Sequence, residues 1–161
     1  MNSARPIGIK LLVSVLLLLS AFAIPSGIAM LSDPSGKVIG AQTILPYLTK
    51  AIPFLHDFSV VGIFLVAVYG VLPIVFAYGV WTRSRLAWIL TLLLGITEIV
   101  WIAAEIIMFS TFGFFFFYPI IAGMGVVTVG LSLLPSVRKF YLKSRQHAQD
   151  GNILTPRKQS V

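Results

Sequence analysis

Residues 86–109 read LAWILTLLLGITEIVWIAAEIIMF, 24 positions with two charged side chains, Glu98 and Glu105. A helix needs about 20 predominantly apolar residues to cross the hydrocarbon of a bilayer, so this stretch is long enough to span. The other structure that satisfies its backbone in lipid is a closed β-barrel. Barrel strands alternate apolar and polar residues with a period of two, and runs such as Leu16-Leu17-Leu18-Leu19 do not.

The same reading extends in both directions. Lys10 and Asp33 bracket 22 uncharged residues, Asp57 and Arg83 bracket 25, and Glu105 and Arg138 bracket 32. Spans are therefore expected at residues 11–31, 59–80, 86–109 and 114–134. The expected fold class is all-α, a polytopic membrane protein built as a four-transmembrane-helix bundle over residues 1–145. A loop at 32–58 and a flexible polar cytoplasmic tail at 146–161 complete the chain. Composition agrees. Of the 161 residues, 58% are hydrophobic and 11% charged, too few charges to solvate a globule and too apolar for disorder. The absence of cysteine excludes disulfides, iron–sulfur clusters, thiol catalysis and zinc ribbons.

Basic residues set the expected orientation. Arg5 and Lys10 precede the first span, Arg83 and Arg85 lie between the second and third, and Arg138, Lys139, Lys143, Arg145, Arg157 and Lys158 follow the fourth. Only Lys37 and Lys50 lie on the other side. The excess of Lys and Arg in cytoplasmic segments then puts both termini in the cytoplasm of a multi-pass cell-membrane protein. Trp81 and Trp88 at the inner turn, and Phe112 with Phe114 to Tyr118 at the outer end, fit interfacial anchors. Lys10, the following apolar run and Ala21-Phe22-Ala23 also resemble a signal peptide with its cleavage site. Against removal of residues 1–23, the apolar run continues to full spanning length.

In the long loop, Asp33-Pro34-Ser35-Gly36 is a turn signal, because Pro fixes φ, Asp bonds nearby backbone and Gly suits the fourth position. Ile44, Leu45, Leu48, Ile52 and Leu55 follow at helical spacing, with Pro46 and Pro53 expected to break the segment into short turns. The segment reads as a cap on the outer membrane surface; an extended loop is the alternative.

Glu98 and Glu105 carry the strongest chemical signal. Seven residues apart, they share a helix face about 10 Å apart along the axis, together with Thr91, Gly95 and Trp101. A carboxylate in hydrocarbon is costly and marks a functional site by default. No Lys or Arg lies within any span, so Glu98 is expected as a neutral acid. Glu105, nearer the outer end, is expected to reach Lys50 or His56. Tyr69 and Ser20 match the depth of Glu98, and Ser26 and Tyr118 that of Glu105. Glu98, Glu105, Trp101 and Tyr69 are thus the candidate intramembrane polar site, either an outward-opening pocket or a hydrogen-bond network that holds the bundle together. Gly62, Gly70, Pro73 and Ala77 on the second span, and Ala122, Gly125 and Ser132 on the fourth, read as close-packing stripes. Pro73 and Pro25 are expected to kink their helices.

No catalytic, cofactor or metal residues are assigned. His56 and His147 are the only histidines and fall on opposite sides, and no phosphate-binding, dinucleotide or Ser-His-Asp pattern occurs. The basic inner face implies membrane lipids, anionic ones in particular, rather than nucleic acid. A protein partner or a homo-oligomer also fits.

Gly27, Asp33-Pro34-Ser35-Gly36, Gly40, Pro53-Phe54, Gly62, Gly70, Pro73, Ala87-Trp88, Gly95, Trp101 and Glu105, spread over residues 25–108, resemble a group of small uncharacterised four-span membrane proteins of bacteria and archaea. The resemblance implies a retained first span and a place for Glu105 in the pattern, but no activity. A weaker likeness is to the sterol-isomerase and sigma-2-receptor group, which also carries acids within a four-helix bundle; here the acids sit on one span. The expected function is a non-enzymatic small membrane protein, an accessory subunit or a binder of a lipid or small apolar ligand. The alternatives are an isomerase-type intramembrane enzyme with Glu98 moving a proton, or an oligomeric proton-coupled carrier.

Overall fold

The computed structural model describes residues 5–109 and 117–142. The tail at 146–161, the aromatic residues Phe112 and Phe114 to Phe116, and the basic residues Lys143, Arg145, Arg157 and Lys158 lie outside the described residues, as does the start of the fourth expected span. Every regular element among the described residues is helical, without strands: α1 (Ile7–Ser32), α2 (Leu45–Ala51), α3 (Ser59–Phe64), a π segment (Leu65–Val71), α4 (Leu72–Trp81), α5 (Arg85–Phe109), α6 (Phe117–Leu133) and α7 (Pro135–Leu142).

Three helical stretches are long and apolar enough to cross a membrane: α1, the continuous run Ser59–Trp81, and α5. The α6–α7 pair makes a fourth if its 58° bend is counted within one span. Only 28–39% of the most apolar window of each long stretch is buried by the rest of the protein. Phe22, Val60, Ile63, Val75, Val100 and Ile107 stand exposed, an apolar exterior that suits lipid and not water. The protein is therefore a helical membrane protein.

α1 is the central post. Ile9, Leu12, Leu16, Leu19, Ser20, Ala23 and Gly27 form its buried stripe, at the spacing of one helix face. It packs against α3, the π segment, α4 and α6. It starts at Ile7 rather than Leu11 because Lys10, exposed in the first turns, can extend its ammonium past the apolar stem. Pro25 lies inside α1 without ending it. The kink expected at Pro73 takes another form: the π segment directly before it re-registers the ladder, with Leu72 N–H donating to Ala67 O five residues back. A residue without an N–H is accommodated where the α pattern has already been interrupted.

The loop folds as a cap. Gly36 N–H donates to Asp33 O at 3.1 Å, closing the expected turn. The Asp33 carboxylate accepts from Ser35 Oγ (2.6 Å) and from the N–H of Val38 (2.9 Å). The Ser35 hydroxyl, then the Val38 N–H, hold the Asp33 carboxyl below its ordinary value. A depressed pKa stabilises the turn above the unfolded Asp value, and that contribution is lost as pH falls through the folded one. Pro46, expected as a breaker, instead sits in the first turn of α2, where its missing N–H costs nothing. Leu48, Leu55 and Phe58 bury together against Met30 and Val61.

At the opposite, basic end the chain forms a helix, α7, just past the expected fourth span, where no element was assigned from the sequence. α7 places Val137 and Tyr141 into a cluster with Ile9, Leu12, Val80 and Ala87. The Tyr141 hydroxyl donates to Val80 O (2.8 Å), and Trp88 Nε1 donates to Ser132 O (2.9 Å). Trp88 and Tyr141 stack at 5.7 Å. Trp88 is thus a packing residue, while Trp81 lies beneath the Arg5 guanidinium at 3.9 Å.

Candidate functional site

α5 and α6 cross at a pair of glycines. A Cβ built on Gly95 would stand 3.2 Å from Gly125 O, and one on Gly125 would stand 3.2 Å from Gly95 O. Seven residues back on α5, Trp88 meets Ser132, seven residues forward on α6, so the helices are antiparallel. Glu98 lies one turn from this crossing, its Cβ 3.4 Å from the position a Cβ on Gly125 would take. It is 2% exposed. Neither carboxyl oxygen has a hydrogen-bond partner, and the same is true of Thr128 Oγ1 on α6, a residue with 0% exposure.

The neighbouring buried hydroxyls behave differently. Ser20 donates to Leu16 O, Thr91 to Ala87 O and Ser132 to Thr128 O, each closing on its own helix. The depth match between Ser20 and Glu98 therefore does not make a hydrogen-bonded network. Glu98 and Thr128 are the polar side chains left with capacity to spare.

The remaining candidates gather on another side of α5. Trp101 Nε1 donates to Glu105 Oε1 at 2.8 Å. This local bond is where Glu105 finds its partner; the expected pairing with Lys50 or His56 does not form among the described residues. Phe64 stacks on Trp101 with centroids 5.1 Å apart, and meets Tyr69 edge-on at 5.7 Å. Tyr69 is buried, faces Thr97, and lies within the electrostatic reach of both Glu98 and Glu105. The second helical run packs on α5 through α4, and toward the cap end Phe64 of that run meets α5 by stacking on Trp101.

The structure thus divides the four candidate residues. Glu98 is enclosed against α6, while Trp101 and Glu105 lie where α5 meets the aromatic side chains of Phe64 and Tyr69. Two participants escaped the sequence reading. Thr128 stands three residues after Gly125, within the small-residue stripe noted on that helix, and Phe64 stands five before Tyr69. No trio of His, Cys, Asp or Glu able to hold a metal occurs among the described residues. Comparisons with protein-family models, with curated proteins and with solved structures find no match.

Proposed function

We propose that this is a non-enzymatic four-span protein of the cell membrane, with both termini cytoplasmic and the cap outside, that binds a lipid or similar apolar ligand in the cleft between its second and third spans. The observation that carries the reading is the aromatic contact of Phe64 with Trp101 at the cap end, with Glu105 bonded to the indole. Such a cleft offers apolar walls with one polar group at its rim, the usual make-up of a ligand site. The exposed apolar exterior gives a lipid direct lateral access. The burial of Leu12 beside Val80 and Val137, and of Leu16, Leu19 and Ala23 beside Tyr69, Ala77 and Leu94, supports a retained first span, because loss of residues 1–23 would remove these core residues. An accessory role beside another membrane protein uses the same surface.

Two measurements test the proposal. Reporters fused after Arg85 and after Arg145 should read cytoplasmic, and one inserted near Gly36 should read outside; a cytoplasmic reading at Gly36 overturns the orientation. Native mass spectrometry of the protein released from nanodiscs should find lipid retained on the parent. Trp101→Leu should lower that occupancy about threefold to tenfold, the worth of one aromatic contact. Equal retention in parent and variant would remove the cleft as the binding site.

A further inference from the structure

We propose that Glu98 and Thr128 form a binding site for one monovalent cation of the size of Na⁺, between α5 and α6 and separate from the lipid cleft. The site rests on three buried oxygens without partners, Glu98 Oε1, Glu98 Oε2 and Thr128 Oγ1, on residues that are 2% and 0% exposed. Leaving such groups unsatisfied in a low-dielectric interior is expensive, so an occupant that accepts their lone pairs is favoured.

The geometry brings them toward one point. Each Cα–Cβ bond tilts toward its own helix N-terminus. On antiparallel helices, Glu98 therefore leans toward Gly95 while Thr128 leans toward Gly125, and these glycines face each other. Thr128 Cγ2 lies 3.1 Å from where a Cβ on Gly95 would sit. Glu98 and Thr128 thus flank the same close glycine crossing, one from each helix.

Charge and ligand type select the occupant. All three atoms are oxygens, which suit hard cations, and the nitrogen and sulfur donors of a transition-metal site are missing. One carboxylate balances one positive charge, whereas a divalent ion would leave net charge buried in the membrane. Among the described residues, no Lys or Arg lies on α5 beyond Arg85 or on α6. The elements around Glu98 contribute Ser20 from α1, Tyr69 from the π segment, and Thr128 and Ser132 from α6. Lys10 lies near the far basic end, Tyr78 on α4 is 72% exposed, and Tyr118 stands at the opposite end of α6. The proton is the natural competitor, since it neutralises the same carboxylate.

The test uses the full chain in nanodiscs of neutral lipid, with chloride salts of Na⁺, K⁺ and choline at constant ionic strength. Na⁺ should raise the thermal midpoint saturably over choline, and ²³Na line broadening should report the bound ion. Once protons occupy the carboxyl, the Na⁺ concentration for half effect should rise about tenfold per unit fall in pH. Glu98→Gln should abolish the Na⁺ response. Thr128→Val should weaken it about tenfold, the worth of one oxygen bonded to a charge, while Thr128→Ser retains it and Glu105→Gln leaves it unchanged. Equal midpoints in Na⁺ and choline, or a Na⁺ response that survives Glu98→Gln, overturn the proposal; K⁺ acting as strongly as Na⁺ overturns the size assignment. If Glu98→Gln fails to fold, the Thr128 pair decides alone. Lipid retention does not enter these readouts, so this site and the cleft stand or fall separately.

Discussion

Gly27→Val and Gly62→Val should each separate α1 from α3 and strip much of the folded protein from a detergent-solubilised sample. A Cβ on Gly27 would stand 2.8 Å from Gly62 O, and a Cβ on Gly62 would stand 2.9 Å from Gly27 O. A backbone oxygen cannot rotate aside as a side chain does, so the helices themselves must part. Overpacking typically costs about 1–3 kcal/mol. Here α1 contacts most of the bundle, and a total stability of about 5–15 kcal/mol leaves little reserve. Gly123→Ala and Gly130→Ala serve as controls, because a Cβ at either position meets nothing within 4 Å. These should be neutral or gain up to about 1 kcal/mol from helix propensity. Thermal unfolding followed by tryptophan fluorescence, with size-exclusion profiles, reads all four. Parent-like midpoints for both valine variants would mean that the α1–α3 approach is not a close one.

A second large effect is expected just beyond the cap end of α1. Gly36→Val should release the cap without unfolding the bundle. Gly36 has φ +78°, a region costing other L-residues roughly 1–2 kcal/mol. Its Cβ would also stand 2.5 Å from the ring of Phe58. Phe58 is part of the buried cap cluster and its N–H donates to Pro34 O at 3.0 Å, so the clash strikes the joint that closes the loop. Protease added to the cap side should cut the variant between residues 37 and 58 much faster than the parent, while the thermal midpoint of the bundle moves little. Equal cleavage rates would show that the turn does not hold the cap.

How much of this was legible in the sequence depended on whether the signal was local. Charge gaps located the first two long helices to within a few residues, because a charge inside hydrocarbon is costly wherever the partners lie, and apolar length located the third despite its two acids. Glu98 stood out for the same reason. Its grouping with Glu105 followed from the seven-residue spacing and proved too simple. Near the Gly95–Gly125 crossing α6 closes over Glu98, whereas about 10 Å further along the axis Glu105 is half-buried and bonds Trp101. Crossing geometry is a relation between two helices, and one helix's spacing does not contain it. Thr128 was hidden because a Thr in an apolar helix ordinarily closes on its own backbone, as Thr91 does. α7 was missed because Arg138 and Lys139 were read only as the basic flank of the fourth span. Val137 and Tyr141, four residues apart and both buried, were its local signature.

The π segment has a consequence for phase. Each residue of an α-helix advances the side chain by about 100°, so Gly62 and Gly70, eight positions apart, would diverge by about 80° on an unbroken helix. A π-turn absorbs one extra residue, which leaves seven effective steps and brings the two glycines within about 20° of one line. Both meet α1, Gly62 at Gly27 and Gly70 at Ile24. In effect the second span carries a one-residue insertion that the π-turn absorbs, so deleting one residue between Leu65 and Tyr69 should leave a plain α-helix whose two glycines, now seven positions apart, still lie within about 20° of one line.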